Sequence, residues 1–227
     1  MTLVHSNGTR PKLTTPPGIP DCANLMWSDL VICFTDLRNS PNLTEEPGHS
    51  TLKTHLDEHF SFGRTLTARA GGIYVQDLPN GILGTFQSIE NAISFALQLQ
   101  ELYMEQSFLK KFPLELRIGL FLGLGEVTES NIFGSAVNQP NRVQGKAEAH
   151  QILTNKRLFE TFTKQWGMQK AMQYFIPAGE YELKGLSDPL TQELFSFKWQ
   201  RFKNDYPDYS LAKLVFQHLH EGKVEAP

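Results

Sequence analysis

The first apolar run in the chain, Leu30-Val31-Ile32-Cys33-Phe34-Thr35-Asp36, is rich in strand formers and predicts a short strand ending in an acid. A loop follows over 38–50. Leu52, Leu56 and Phe60 then recur every fourth residue, which predicts a helix from Ser50 or Thr51 towards Phe60. Residues 72–76 and 82–86 flank Pro79-Asn80-Gly81 and predict a hairpin, because Asn-Gly tolerates the positive φ of a tight reversal. Ser88 is placed to cap a helix whose apolar positions run from Ile89 through Ala92, Ile93, Ala96 and Leu99 to about Glu105. Pro113 opens a long strand over 114–124, with a break at Gly125. A helix over 135–149, a strand over 151–153, a helix over 156–164 and strands over 181–184 and 194–197 complete the core. The order predicts an α+β domain, a mostly antiparallel sheet with flanking helices.

Composition narrows the class. Of 227 residues, 21 are Lys or Arg and 24 are Asp or Glu, a net charge of −3 that leaves no footprint for duplex nucleic acid or an anionic membrane. Apolar residues at 40% and aromatics at 11% support a packed core. Cys22 and Cys33 are too few for a disulfide scaffold or a cysteine zinc site. Residues 1–21 lack an apolar signal core and no window reaches membrane-span length, so the expectation is a soluble, cytoplasmic domain. Four prolines mark residues 1–24 as a flexible arm. The domain is expected over 25–198, and 199–227 form a polar extension, partly helical at Leu211, Leu214, Val215 and Leu219.

Few motifs carry chemistry on their own. His55-Leu56-Asp57-Glu58-His59 fits H-x-x-E-H, but no third ligand is marked and it reads as a solvated helix face. The glycines at 119, 123 and 125 do not form a dinucleotide loop, and neither a G-x-S-x-G nor a Walker lysine is present. Asp36 closes an apolar strand, an expensive place for an acid unless it meets a metal or a partner. Asn138 and Arg142 fall one helical turn apart and can reach one anion, and Lys184 beside Gly185 can meet a phosphate. Taken singly, each also has a plain alternative: a capping acid, a surface pair, a solvated lysine.

Read in order, these residues resemble the class III nucleotide cyclases. Phe34-Thr35-Asp36-Leu37 is similar to F-T-D-I, and Leu116-Arg117-Ile118-Gly119-Leu120-Phe121-Leu122-Gly123 to L-R-I-G-I-H-x-G. Phe133-Gly134-Ser135-Ala136-Val137-Asn138 with Arg142 resembles Y-G-x-x-V-N-x-x-x-R, and Leu183-Lys184-Gly185 resembles L-K-G. The resemblance spans roughly residues 28 to 198. It implies a ferredoxin-like cyclase domain that works as a homodimer with shared active sites. It also implies two divalent cations (Mn²⁺ or Mg²⁺) and a nucleoside triphosphate closed to a 3′,5′-cyclic nucleotide with release of pyrophosphate. By the same resemblance Asp36 and the Leu37 carbonyl are metal ligands, Asn138 orients the ribose, Arg142 stabilises the α-phosphoryl charge, and Lys184 holds the triphosphate.

Two departures matter. The family's second metal aspartate, in K-x-x-G-D, aligns with Asn80, and Pro79 replaces the glycine; Asp77 lies nearby as a less favoured substitute. The base-selecting positions carry Gln76 and Asn131, neither purine pair of the family, and two amides can answer the N3–H and carbonyls of uracil. The chain therefore resembles most the stand-alone uridylate cyclases of Pycsar antiphage systems, whose product is read by a separate effector. The rival readings are a catalytically degenerate nucleotide-binding module and one half of a heterodimer.

Overall fold

The computed structural model describes residues 28–38, 49–105, 114–127, 132–133, 139–183 and 190–209. In chain order the elements are β1 (Ser28–Arg38), α1 (His49–Arg69), β2 (Ile73–Leu78), β3 (Gly81–Phe86), α2 (Ile89–Glu105) and β4 (Glu115–Val127). They continue with β5 (Ile132–Phe133), α3 (Gln139–Gln144), β6 (Ile152–Asn155), α4 (Lys156–Trp166) and α5 (Met168–Tyr174). The last are β7 (Phe175–Leu183), β8 (Leu190–Phe197) and α6 (Trp199–Asp205), followed by a 3₁₀ turn at Pro207–Tyr209. The sheet runs β2-β3-β1-β4-β6-β8-β7, with β5 paired to β4 off that path. Among the described pairings only β4 with β6 is parallel, so the α+β, mostly antiparallel class expected from the sequence is the fold observed.

Strand periodicity sorts the sheet into two faces. Val31, Cys33 and Leu37 of β1 join Leu116, Ile118 and the apolar stripes of α1, α2, α4, α5 and α6 in the larger core. Leu30, Ile32 and Phe34 point the other way, to Leu83, Phe121 and Val143 under α3. Asp36 follows Phe34 on the α3 face. Every residue of β1 pairs with β4, from Ser28 opposite Gly125 to Arg38 opposite Glu115.

Several elements differ from their expected bounds for identifiable reasons. Helix α1 continues past Phe60 to Arg69, because Leu66 and Thr67 extend its buried face and Gly63 lets it close on β3. A Cβ at Gly63 would stand 2.2 Å from Ile82 Cδ1. Gly125 does not break β4, since its backbone pairs with Ser28. The helix expected over 135–149 is, among described residues, the single short α3; the chain turns after Gln144. Strand β7 starts at Phe175, earlier than expected, and α5 was not expected at all.

The aromatic residues of 199–209 belong to the packed unit. Phe202 is fully buried, with Tyr206 at 4.8 Å, Tyr174 at 5.0 Å, and Phe197 and Tyr209 at 5.2 Å between ring centroids. Gln98 Nε2 donates to the Tyr209 carbonyl at 2.9 Å and ties this end to α2. Asn155 does similar work beneath α4. Its Oδ1 accepts from Leu158 N as an N-cap, and its amide exchanges hydrogen bonds with the Leu122 backbone.

Helix α3 lies directly on the β4 backbone. A Cβ at Gly119 would be 2.6 Å from Gln144 N and 2.8 Å from the Pro140 carbonyl oxygen, both main-chain atoms that cannot step aside. Gly119→Ala is therefore expected to lower the urea midpoint by the equivalent of about 1–3 kcal/mol. Gly84→Ala, whose Cβ would meet nothing nearer than 3.6 Å, is expected to leave it nearly unchanged. Equal midpoints for the two variants would contradict this packing.

Candidate functional site

The site is built where the β2–β3 hairpin folds against the end of β1. A Cβ on Gly81 would lie 1.9 Å from the Thr35 carbonyl oxygen, so only glycine lets the hairpin tip approach the strand this closely. The approach is fixed by two hydrogen bonds, Leu37 N to the Asn80 carbonyl at 2.8 Å and Ile82 N to Thr35 Oγ1 at 2.9 Å. Asn80 is thereby set beside Asp36, and its Nδ2 donates to Asp36 Oδ1. A residue's N–H and C=O point to the same side of an extended strand, so the Leu37 carbonyl faces the hairpin as well.

Across the sheet, Asp36 stands opposite Arg117 on β4. Arg117 Nε donates to Asp36 Oδ2 at 2.9 Å, and the second guanidinium nitrogen reaches the same oxygen. The two side chains are only 14% and 21% exposed. Gln100, fully buried on α2, donates to the Leu116 carbonyl at 3.1 Å and steadies β4 one residue before Arg117. In the sequence Arg117 is one letter of the Leu116-Arg117-Ile118-Gly119 stretch, and nothing there marks it as a partner of Asp36. The signal for it is the pairing register, which places it directly opposite the acid.

The other expected residues divide clearly. Gln76 is exposed on β2 and pairs with Leu83, which faces the α3 side. Arg142 lies in α3, on the same side as Asp36, and among described residues its buried Nη1 has no partner. Asn131, Asn138 and Lys184 lie outside the described residues. Asp77 pairs with Ile82, whose side chain belongs to the opposite core. There it accepts from Arg64 Nη1 at 2.8 Å and from the Tyr74 hydroxyl. Desolvation, with the Asp77 hydrogen bond, pushes the Tyr74 phenol up. Asp77 is committed to α1 and turned away from Asp36.

The donors present fit one divalent cation: the Asp36 carboxylate, the Leu37 carbonyl and, with its amide turned over, the Asn80 oxygen. They do not supply a second carboxylate on the hairpin side. Among the described residues no group of three or more His, Cys, Asp or Glu is placed to hold a metal.

The H-x-x-E-H stretch is not a solvated face. His55 and His59 are 8% and 1% exposed, because α1 turns that side onto the sheet and α2. His59 Nδ1 lies 2.6 Å from the Tyr103 hydroxyl and Nε2 lies 3.4 Å from Thr35 Oγ1, the group that holds Ile82 N. The histidine thus links both helices to the strand end that carries Asp36. Burial lowers its pKa to about 3, only partly opposed by Asp77.

A model of the adenylate and guanylate cyclase catalytic domain matches residues 26–197. No curated protein matches the chain by sequence. Among solved structures, the adenylyl cyclase CyaB from P. aeruginosa superposes with a TM-score of 0.64 at 18% identity, over 76% of this chain and 94% of that one. An adenylate/guanylate cyclase/hydrolase from Silicibacter pomeroyi gives 0.63 at 20% identity, covering 77% and 98%. The guanylate cyclase domain of RhGC from Catenaria anguillulae, in complex with GTP, gives 0.61 at 16% identity, covering 74% and 95%. Identities this low speak to the fold.

The buried imidazole makes stability pH-dependent. Unfolded His59 takes up a proton near pH 6.5, whereas in the fold it stays neutral down to about 3, so stability falls as pH drops between those values. Urea unfolding at pH 5 is expected to show about 2 kcal/mol less stability from this group than at pH 7. His59→Gln should flatten that dependence. A variant as pH-sensitive as the wild type would exclude His59 as its source.

Proposed function

We propose, for a chain that belongs to the adenylate and guanylate cyclase catalytic-domain family, that it closes a ribonucleoside triphosphate to a 3′,5′-cyclic nucleotide and releases pyrophosphate. The observation that carries this reading is the convergence of Asp36, the Leu37 carbonyl and Asn80 at one end of β1, on the face that also bears Arg142. In the reaction the O3′–Pα bond forms as the bond from Pα to the pyrophosphate oxygen breaks, and the hydroxyl proton passes to solvent. A bound divalent cation supplies acidity to the 3′-hydroxyl and neutralises phosphate charge.

Asp36 orients that charge at the strand end, where the hairpin keeps it only partly solvated. Arg142 offers its guanidinium to the α-phosphoryl oxygens as charge shifts onto them, and its buried Nη1, without a partner among the described residues, supports a group kept for a ligand. Asn138 orients the ribose and Lys184 holds the β- and γ-phosphates, roles supported by their place in the motif order. The working unit is a homodimer with the metal ligands of one chain and the Asn138/Arg142 pair of the other in each site, also on the family resemblance.

UTP is the proposed substrate. Gln76 is exposed on β2 of the hairpin that carries Asn80, and with Asn131 it offers paired donors and acceptors suited to a uracil edge. Cyclic UMP would act as a second messenger read by a separate effector in antiphage signalling, a role that rests on the Pycsar resemblance alone. The Asn80 substitution favours a second reading, a domain that binds a triphosphate without turning it over.

Purified protein incubated with each of the four triphosphates and Mn²⁺ or Mg²⁺ is expected to yield cyclic nucleotide and pyrophosphate, fastest with UTP. Asp36→Ala should abolish turnover, and Arg142→Ala should lower it about 100-fold or more. Absence of both products with all four bases would sink the cyclase reading, and tight triphosphate binding without product would establish the second one.

A further inference from the structure

A second polar cavity lies between the turn that leads into β6 and the junction of β8 with α6. Its volume is about 520 Å³, within the range of small-molecule sites, and none of Asp36, Asn80 and Arg142 lines it. Two hydrogen bonds fix its walls to each other. Trp199 Nε1 donates to the His150 carbonyl at 2.9 Å, and Gln151 Nε2 donates to Ser196 Oγ at 3.0 Å. His150, whose imidazole lines the cavity, is the one non-glycine among the described residues with a positive φ, 57°. Strain of this kind persists only where the surroundings impose it, and here the Trp199 bond does so.

The lining is short of negative charge. Among the described residues Glu148 is its single carboxylate; that side chain is 81% exposed and its Oε2 lies 3.5 Å from Arg38 Nη1. Lys198 and Arg201 also line the cavity, and neither has an ion-pair partner among the described residues. His150 adds a neutral donor. Burial lowers its pKa, opposed in part by Glu115, so the ring is uncharged at pH 7. Its Nδ1 is enclosed without a partner among the described residues, and a buried orphan N–H costs more than an unpaired ring nitrogen. The proton therefore sits on Nε2, the nitrogen left to donate.

Two unpaired cations on one wall and an imidazole N–H on the other suit a tetrahedral dianion, which offers oxygens in several directions. A planar carboxylate, with one charge and two oxygens, would serve fewer of these donors. We propose that this cavity binds a phosphate-bearing small molecule, with Lys198 and Arg201 neutralising the phosphate and His150 donating to it. The site stands apart from the cyclase reading, which the turnover assay judges separately.

Isothermal titration calorimetry of the full chain tests it, in EDTA and at low ionic strength, with inorganic phosphate, ribose 5-phosphate and acetate as probes. Both phosphates are expected to bind, and acetate about tenfold more weakly or less. Tighter binding of ribose 5-phosphate would make an organic phosphate the occupant, and equal affinities would make it the free ion. Lys198→Ala and Arg201→Gln should each weaken phosphate binding about tenfold or more. Arg201 is exposed on α6, so its variant keeps the fold and decides alone should Lys198→Ala not fold. Unchanged affinity in the folded variants would place the anion elsewhere and overturn the proposal. So would acetate binding as tightly as phosphate, or no binding of either phosphate.

Discussion

Asp36 carries a charge to the end of a strand whose preceding residues are buried, and much of the surrounding architecture compensates for it. Arg117 can meet the carboxylate because β1 and β4 pair residue for residue along the whole of β1. Asn80 can meet it because Gly81 permits the hairpin tip to touch the Thr35 backbone. Each contact depends on a backbone fact, a register in one case and a missing side chain in the other. The chemistry of the site is thus set by main-chain geometry before any side chain is chosen.

The two faces of the sheet divide the work. The face under α1, α2 and the C-terminal helices holds the larger core, with Phe86, Phe95, Phe162 and Phe202 almost wholly withdrawn from water. The face under α3 holds a smaller core and carries Asp36 and Arg142. Thr35, His59 and Tyr103 connect them, since Thr35 belongs to the helical side while its neighbour Asp36 belongs to the other. Such polar networks are stabilising only when their members are satisfied, and these make their contacts within the core.

Much of this was legible in the sequence, for reasons that also explain what was not. β1, the hairpin and α2 carry simple periodicities, and Ser88 caps α2 as expected, with Asn91 N donating to its hydroxyl at 3.1 Å. The second half of α1 was hidden because Ser61, Gly63, Arg64 and Thr65 interrupt the apolar spacing, and the glycine is there for packing against β3. Helices α5 and α6 were hidden because aromatic rings from distant segments, and not a local repeat, bury them. In the site, Asp36, Asn80 and Arg142 were visible as residue types in order. That Asp77 faces away, and that Arg117 faces in, follows from strand pairing, which a single sequence does not display.

Cys33 lies in the middle of β1, three residues from Asp36, wholly enclosed, and its burial pushes the thiol far above its usual range. Attack by an alkylating reagent requires a thiolate and access, and the folded strand provides neither. Because Cys33 points into the larger core, the sulfur is covered by the helices packed on that face and meets solvent only when they lift from the sheet. Its alkylation rate is therefore a built-in clock for opening of the core behind the strand that carries the site.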